Sequence, residues 1–370
     1  MRLQSLVLCS DEKILRVLRR VLSDLEILID HSSEGDDAIH KLTRQRYEAV
    51  IVDYSNERVA SQVLRSARSA PVNKRAVVVA ILDADKAMRG AFDLGAHFVL
   101  YKPISTERAR SSFRAARALM KRERRRNTRI PVEIPVTMRF DGGASQKTVT
   151  SDLSEGGIAV HHAPRCKQPS TIGLSFVLPA SEFKVECKAE VAWVNSGRQA
   201  GLRFLDPPTE ICHQLKHWVD SHAPELEQDD PPTPCKLTDL SPNCGYLETV
   251  APFPVRTKVT LAMGVEELKV EVGGVVRVAH PEVGMGVEFA QNDPQQRGQV
   301  EKFIQALIQS GGSIPEILVQ PEGLEEGESG AALPSPQMED PLLDLFRSQA
   351  GLHVEAFRVE LQKQRAPANA

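Results

Sequence analysis

The chain has 370 residues, 41% of them hydrophobic and 26% charged, with a formal net charge of −3. That length predicts about two to four cored domains, and the slight acid excess excludes a surface that attracts polyanions as a whole, so any anion site is local. No run of about 18 apolar residues occurs, which excludes a membrane-spanning helix and any insertion by that route.

The first 120 residues alternate apolar runs with helical periodicity. "SLVLCS" predicts a buried strand, and Ile14, Leu15, Leu18, Val21 and Leu22 then recur at helical spacing. "EILID", "AVIVD", "AVVVAIL" and "HFVLY" predict four more strands, with "GDDAIHKL" opening a helix and helical stretches between the others. Continuous apolar strands separated by helices predict an α/β doubly wound parallel sheet. "STERARSSFRAARALMKRERR" predicts a closing helix capped by Ser105. From Ile130 the period falls to two. Ile134, Val136, Met138 and Phe140 share one face of "IPVTMRF", as do Val185, Cys187, Ala189 and Val191 in "KVECKAEVAWV". This predicts a small antiparallel β-barrel or sandwich, followed by a helix near 208–221 that carries Ile211, Leu215, Trp218 and Val219.

The pattern then repeats: "DLSEGGIAV" returns as "DLSPNCGYLET", "FKVECKAEVAWV" as "LKVEVGGVVRV", and "AGLRF" as "MGVEF". One fold is used twice, although the second copy lacks a counterpart of "RRRNTRIPVEIPVTMRF". The expected organisation is therefore an α/β domain over 1–120 and barrels over 121–222 and 234–310, each barrel with a C-terminal helix. An acidic, Pro-rich linker over 223–233 joins the barrels. Residues 311–338 are rich in Gly, Pro and Glu and are expected to be disordered. A C-terminal helix or tail over 339–370 carries Leu345, Leu352, Phe357 and Leu361 on a stripe interrupted by Gly351. The N-terminus meets acid at Asp11 and Glu12 and has no small-residue cleavage site, so no signal peptide is expected. Six scattered cysteines without CxxC spacing predict reduced thiols in a cytoplasm. Cys212, His213 and His217 share a helix but lack a fourth metal ligand.

Residues 121–129, "KRERRRNTR", hold six Lys or Arg opposed only by Glu123. A solvated helix end, a nucleic-acid patch and a small-anion site compete to explain them. Confined charge and 5% aromatic content weigh against nucleic acid, so no DNA partner is expected. A solvated helix C-terminus suits Lys121 and Arg122. It does not account for Arg125 and Arg129, four apart, nor for "DLSEGG" downstream, with Asp152, Ser154 and Gly157 in DxSxxG spacing. An Arg fork matches phosphate oxygens or the O6/N7 edge of guanine, and it stacks on bases. Asp accepts from guanine N1 and N2. Ser bonds on a short arm, and glycine lets backbone N–H groups approach a ligand. Together these residues describe a site for a guanine nucleotide with exposed phosphates.

The ordered pair of motifs resembles the PilZ domain, a six-stranded barrel family that binds cyclic di-GMP, over residues 123–221. "AGLRF" resembles that family's closing strand. The resemblance implies cyclic di-GMP as ligand, Arg125 and Arg129 as the RxxxR motif, and Asp152, Ser154, Gly156 and Gly157 as the second motif. Arg124 would supply a third guanidinium to a stacked ligand dimer. The second barrel resembles a degenerate copy: Asp239 and Ser241 remain, Cys244 takes the glycine position, and no RxxxR precedes it. It is expected not to bind the ligand. The N-terminal unit resembles a response-regulator receiver domain. That implies Asp53 as phosphoacceptor at the end of the third strand, with Asp11 and Lys102 as phosphoryl-site neighbours. Ser10 replaces an acid that holds magnesium in that family, which weakens Mg2+ binding. Ala80 or Ile81 stands where a hydroxyl grips the phosphoryl group. The reading is a degenerate receiver used for docking or dimerisation, with a homodimer left open.

The expected function is that of a bacterial cyclic di-GMP effector in signal transduction, with no Ser-His-Asp order, P-loop or carboxylate dyad to suggest an enzyme. Ligand on the first barrel would change the interdomain angle and signal to a protein partner through the receiver, the second barrel or the C-terminal helix. The alternatives are a ligand-independent interaction scaffold, or a two-component response regulator controlled by phosphorylation at Asp53.

Overall fold

The computed structural model describes residues 2–70, 72–83, 92, 95–140, 144–164, 171–205, 207–223, 228–290, 294–310, 314–325, 340–348 and 354–365. The chain forms two compact units: residues 124–228, and residues 2–123 together with 229–370. The order of packing is therefore not the serial order of the sequence. The first barrel interrupts a unit that the N-terminal domain shares with the second barrel. No helix among the described residues is long and apolar enough to cross a membrane.

In the larger unit, β1 (Leu3–Leu8), β2 (Ile27–Ser32), β3 (Ala49–Asp53), β4 (Val77–Asp83) and β5 (Phe98–Lys102) form a parallel sheet in the order β2-β1-β3-β4-β5. Every residue of β3 is buried, as a strand covered on both faces requires. Ile14, Leu15, Leu18 and Val21 of α1 (Glu12–Asp24) pack on one face with Phe113, Ala116 and Leu119 of α4 (Thr106–Arg126). On the other face pack Ala38 and Leu42 of α2 (Gly35–Arg44) and Val63, Leu64 and Ala67 of α3 (Glu57–Ser69). The helix read between β4 and β5 lies largely outside the described residues.

The first barrel comprises β6 (Ile130–Pro131), β7 (Pro135–Arg139), β8 (Ser145–Ser154), β9 (Gly157–Val160), β10 (Ile172–Val177), β11 (Lys184–Val194) and β12 (Ala200–Leu205). The strand order is β6-β8-β7-β10-β11-β12-β9, and β9 pairs back onto β8 to close the ring. Ile211, Leu215, Trp218 and Val219 of α5 (Thr209–His222) are buried in this barrel's core beside Phe176 and Phe204. Helical spacing presents those four side chains on one face.

The second barrel runs β13 (Thr233–Leu240), β14 (Cys244–Glu248), β15 (Thr257–Val265), β16 (Leu268–His280), β17 (Gly284–Phe289), α6 (Pro294–Gln309) and β18 (Glu316–Leu324). It is closed in the order β13-β14-β17-β16-β15-β18. Strands β13 to β17 repeat β8 to β12. In the first barrel β7 lies between β8 and β10; in the second, β18 lies between β13 and β15. The strand that seemed missing ahead of the second copy thus comes after its helix, a circular permutation of the barrel. This corrects the reading of 311–338 as disordered, at least over 316–324. Ile317 and Val319 alternate inward at 1% and 0% exposure, a period-two signal masked by the Pro, Gly and Glu around it. Without β18 the barrel would leave two edges unpaired. Residues 311–313 and 326–338 lie outside the described residues.

In the tail, Leu345 and Phe346 of α7 (Pro341–Ser348) and Phe357 and Leu361 of α8 (Val354–Arg365) are buried against Cys244, Tyr246 and Val278 of the second barrel. Leu352 and Gly351 lie outside the described residues.

Lys121 and Arg122, read as a solvated helix end, are buried instead. Lys121 and Arg117 donate to Asp230 at 2.8 and 2.6 Å, Arg122 pairs with Glu322 at 2.9 Å, and Glu123 accepts from the Leu324 backbone N–H at 2.6 Å. The linker's acid and strand β18 supply the counter-charges, so the basic run is a structural clasp over these residues.

Candidate functional site

The path from α4 into the first barrel brings the two motifs together. Helix α4 ends at Arg126, and the Thr128 hydroxyl donates back to the Arg124 carbonyl at 3.0 Å. The chain then enters β6, which pairs with the end of β8: Ile130 opposite Leu153 and Pro131 opposite Asp152. This pairing sets Arg129 beside the DxSxxG turn. Its Nη1 donates to Asp152 Oδ1 at 2.7 Å, with the side chains 45% and 24% exposed. A charged pair this open is reachable from solvent and contributes little to stability.

The other candidate residues divide into groups. Gly156 has open space where a Cβ would stand. Gly157 is a packing glycine, because a Cβ there would lie 2.2 Å from the Leu202 carbonyl oxygen and block the approach of β9 to β12. Ser154 is buried, and its hydroxyl donates to the Gly157 carbonyl at 3.0 Å. The Phe204 N–H bonds the Gly156 carbonyl at 3.0 Å and completes the turn. Arg125 is not brought to Arg129's partner. It is 5% exposed on α4 and pairs with Asp220 of α5 at 2.9 Å. Arg124 is half-buried on the same helix. Sequence reasoning missed the row beside Asp152, where β8, β9, β12 and β11 align Asp152, Ala159, Gly201 and Trp193, with Ala159 and Gly201 buried and the Trp193 indole against Gly201. The signal available was a small residue between the core positions of two strands, Ala159 in one and Gly201 in the other.

The same face of the second barrel is occupied. The Phe289 N–H bonds the Asn243 carbonyl at 2.8 Å, as Phe204 does with Gly156, which aligns the two turns. There the Asp340 carboxylate accepts from Ser241 Oγ and Asn243 Nδ2, both at 2.8 Å, and from the Leu343 N–H at the start of α7. Tyr246 takes the place of Ala159, opposite Asp239, and the Phe346 ring lies 2.8 Å from where a Cβ on Gly286 would stand.

At the C-terminal edge of the parallel sheet, Asp53 is 7% exposed. Its Oδ1 accepts from Lys102 Nζ at 2.6 Å and from Ser55 N–H and Oγ at 3.0 and 2.9 Å. Burial depresses the Lys102 ammonium, but the hydrogen bond and charge of Asp53 outweigh it and hold the pKa above its ordinary value. Cys9 Sγ lies 3.7 Å from Asp53 Oδ2. Burial, with a smaller push from Asp53, raises its thiol to about 11 and keeps it protonated. Asp11 accepts the Lys13 N–H at 2.7 Å as the cap of α1. Ile81 and Ala80 sit opposite Asp53 and Val52, fully buried and without a hydroxyl. Among the described residues, no three His, Cys, Asp or Glu side chains are grouped to hold a metal ion.

Residues 123–221 match the family described as the PilZ domain. No curated protein matches the chain. Among solved structures, the PilZ domain of CeSA from a cellulose-synthesizing bacterium is 23% identical, covering 27% of this chain and all of its own, with a TM-score of 0.21. The receiver domain of the sensor histidine kinase PA1611 from Pseudomonas aeruginosa PAO1, with magnesium in its active-site cleft, is 19% identical. That match covers 30% of this chain and 92% of the other, with a TM-score of 0.27. The chemotaxis response regulator CheY4 of Vibrio cholerae is 16% identical over 29% and 92%, also with a TM-score of 0.27.

Proposed function

We propose that this chain, which carries a PilZ domain over residues 123–221, is a non-enzymatic cyclic di-GMP effector that binds its ligand on the first barrel. The carrying observation is the solvent-reachable Arg129–Asp152 pair, assembled from both motifs at 2.7 Å. Ligand replaces that pair with two complementary contacts. Arg129 turns its fork to a phosphate or to guanine O6/N7, and Asp152 accepts from guanine N1 and N2. The open Gly156 lets the ligand approach the turn. Arg124 supplies a further guanidinium. Arg125 joins by exchanging Asp220 for a ligand phosphate, so that its buried charge stays paired. That exchange releases a contact to α5 and is the first step of the relay to a protein partner.

Calorimetry of the full chain with cyclic di-GMP tests this. Each charge-assisted hydrogen bond contributes about 1.5–3 kcal/mol, so Arg129→Ala and Asp152→Ala are each expected to weaken binding roughly 10- to 100-fold. No heat from the wild-type chain would sink the proposal and leave the ligand-independent scaffold. The second barrel is proposed not to bind, because it has no Arg pair and its shelf holds Tyr246, Phe346 and Asp340.

We further propose that the receiver-like domain docks rather than switches. Asp53 Oδ1 is already engaged by Lys102 and Ser55, and no hydroxyl stands at Ala80 or Ile81 to grip a phosphoryl group. Intact mass after incubation with acetyl phosphate is expected to be unchanged. A stable adduct that disappears in Asp53→Ala would restore the phosphorylation-controlled reading.

A further inference from the structure

The turn of the second barrel that aligns with the DxSxxG turn of the first carries different side chains on the same backbone. Asn243 stands at the position of Gly156, and Tyr246 at that of Ala159. Asn243 is 7% exposed, and its Nδ2 donates to Asp340 Oδ2 at 2.8 Å, beside Ser241 Oγ at the same distance. The turn thus grips a carboxylate with two neutral donors, and hydrogen bonds to an ionised acceptor are the strong ones.

That carboxylate heads a helix. Asp340 Oδ1 accepts the Leu343 N–H at 3.2 Å, so one oxygen caps α7 while the other is held by the barrel. Pro341 takes the first helical position, where its missing N–H costs nothing. Leu342, Leu345 and Phe346, at i, i+3 and i+4, then lie buried on the barrel. The Phe346 ring fills the space over Gly286, where a Cβ would come within 2.8 Å of it. Asp340 and Phe346 are ~9 Å apart along the helix axis, so the donors of the turn and the gap over Gly286 together read Asp-Pro-Leu-x-x-Leu-Phe. Helix α7 spans eight residues, too few to be stable alone in water. It owes its fold to this seat, and the chain joins it to β18 through residues 325–339. Elements docked by a few side chains open at low free-energy cost.

We propose that the second barrel is a receptor for an amphipathic helix headed by Asp-Pro, that α7 of the same chain plugs this seat, and that a partner protein's helix of the same pattern displaces it. Asn243 and Ser241 select the leading carboxylate, and Gly286 admits the aromatic ring. The substitutions that remove nucleotide chemistry from this turn supply peptide chemistry in its place, in the helix-in-groove mode. The inference stands independently of nucleotide binding by the first barrel.

Fluorescence anisotropy of a labelled peptide of residues 339–365, added to the full chain, tests it. The peptide should bind Phe346→Ala, whose own tail lets go. It should bind the wild-type chain at least about tenfold more weakly, because the tethered tail competes at an effective concentration on the order of millimolar. Asn243→Ala added to Phe346→Ala should weaken the peptide about tenfold or more. Gly286→Val in the same background should abolish binding, since its side chain stands where the ring lies. Constant thiol labelling at Cys235 checks that the barrel is intact, and Asp340→Ala releases the tail by a second route where Phe346→Ala does not fold. Equal binding by the wild-type and released chains, no binding by either released chain, or binding indifferent to Asn243→Ala overturns the proposal. A wild-type chain that light scattering finds dimeric, with Phe346→Ala monomeric, also overturns it and assigns the seat to the tail of a second copy.

Discussion

Asp230→Ala is expected to destabilise the unit of residues 2–123 and 229–370 by about 3 kcal/mol. Its carboxylate accepts from both Arg117 and Lys121, at 2.6 and 2.8 Å, and the three side chains are only 18%, 18% and 8% exposed. Removing the acid leaves two neighbouring cations short of their shared anion in a poorly solvated place, which costs far more than losing a surface pair. Asp230→Asn keeps an acceptor but not the charge and should fall between the two. Segment-resolved hydrogen exchange is the measurement. Core amides of β1, β3 and β13 to β18 should exchange roughly a hundredfold faster, while those of residues 124–228 hold their rates. Uniform acceleration across both units, or none, would show that the clasp is not what holds the N-terminal domain to the second barrel.

Phe346→Ala is expected to cost about 3–5 kcal/mol, the range for deleting a fully buried aromatic ring. Phe346 is 0% exposed and packs on Gly286, with the Tyr246 and Phe357 rings each at 6.3 Å. The loss cannot exceed the energy that docks α7 and α8, so the consequence is release of those helices rather than collapse of the barrel. Cys244 reports it. Its side chain is fully buried in the cluster formed with Leu342, Phe346 and Phe357. Thiol labelling read by peptide mass should rise about a hundredfold at Cys244 and stay constant at Cys235. If Cys244 remains protected, the helices do not cover that face. Releasing them would also free the Ser241–Asn243 turn from Asp340, yet no cyclic di-GMP binding should appear there, because no RxxxR precedes that turn in the sequence.

Much of this architecture is written in short-range pattern. The apolar strands of the parallel sheet, the helical stripe Ile211–Leu215–Trp218–Val219, and the period-two alternation of both barrels depend on side chains a few residues apart. Neighbouring chemistry alone selects helix or strand there. The repeat and the two motifs are likewise visible as letters at fixed spacing, and they carry the PilZ resemblance without any coordinates.

The partners of the charged residues are not written that way. The run 121–129 looks uniform in sequence, yet its members meet different fates: Lys121 clasps the linker's Asp230, Arg122 and Glu123 clasp β18, Arg125 pins α5, and Arg129 stands open beside Asp152. Burial and counter-charge decide this, and the counter-charges come from far along the chain, 23 residues away for Asp152 and 201 for the Leu324 amide. The same holds for β18, whose composition suggested disorder until an open barrel edge required a strand, and for Trp193, which falls in one row with Asp152 only because four strands align. Sequence determined the elements and the spacing of the two motifs. Tertiary structure decided which arginine of the run stays reachable from solvent, because packing and distant counter-charges bury the others that they clasp.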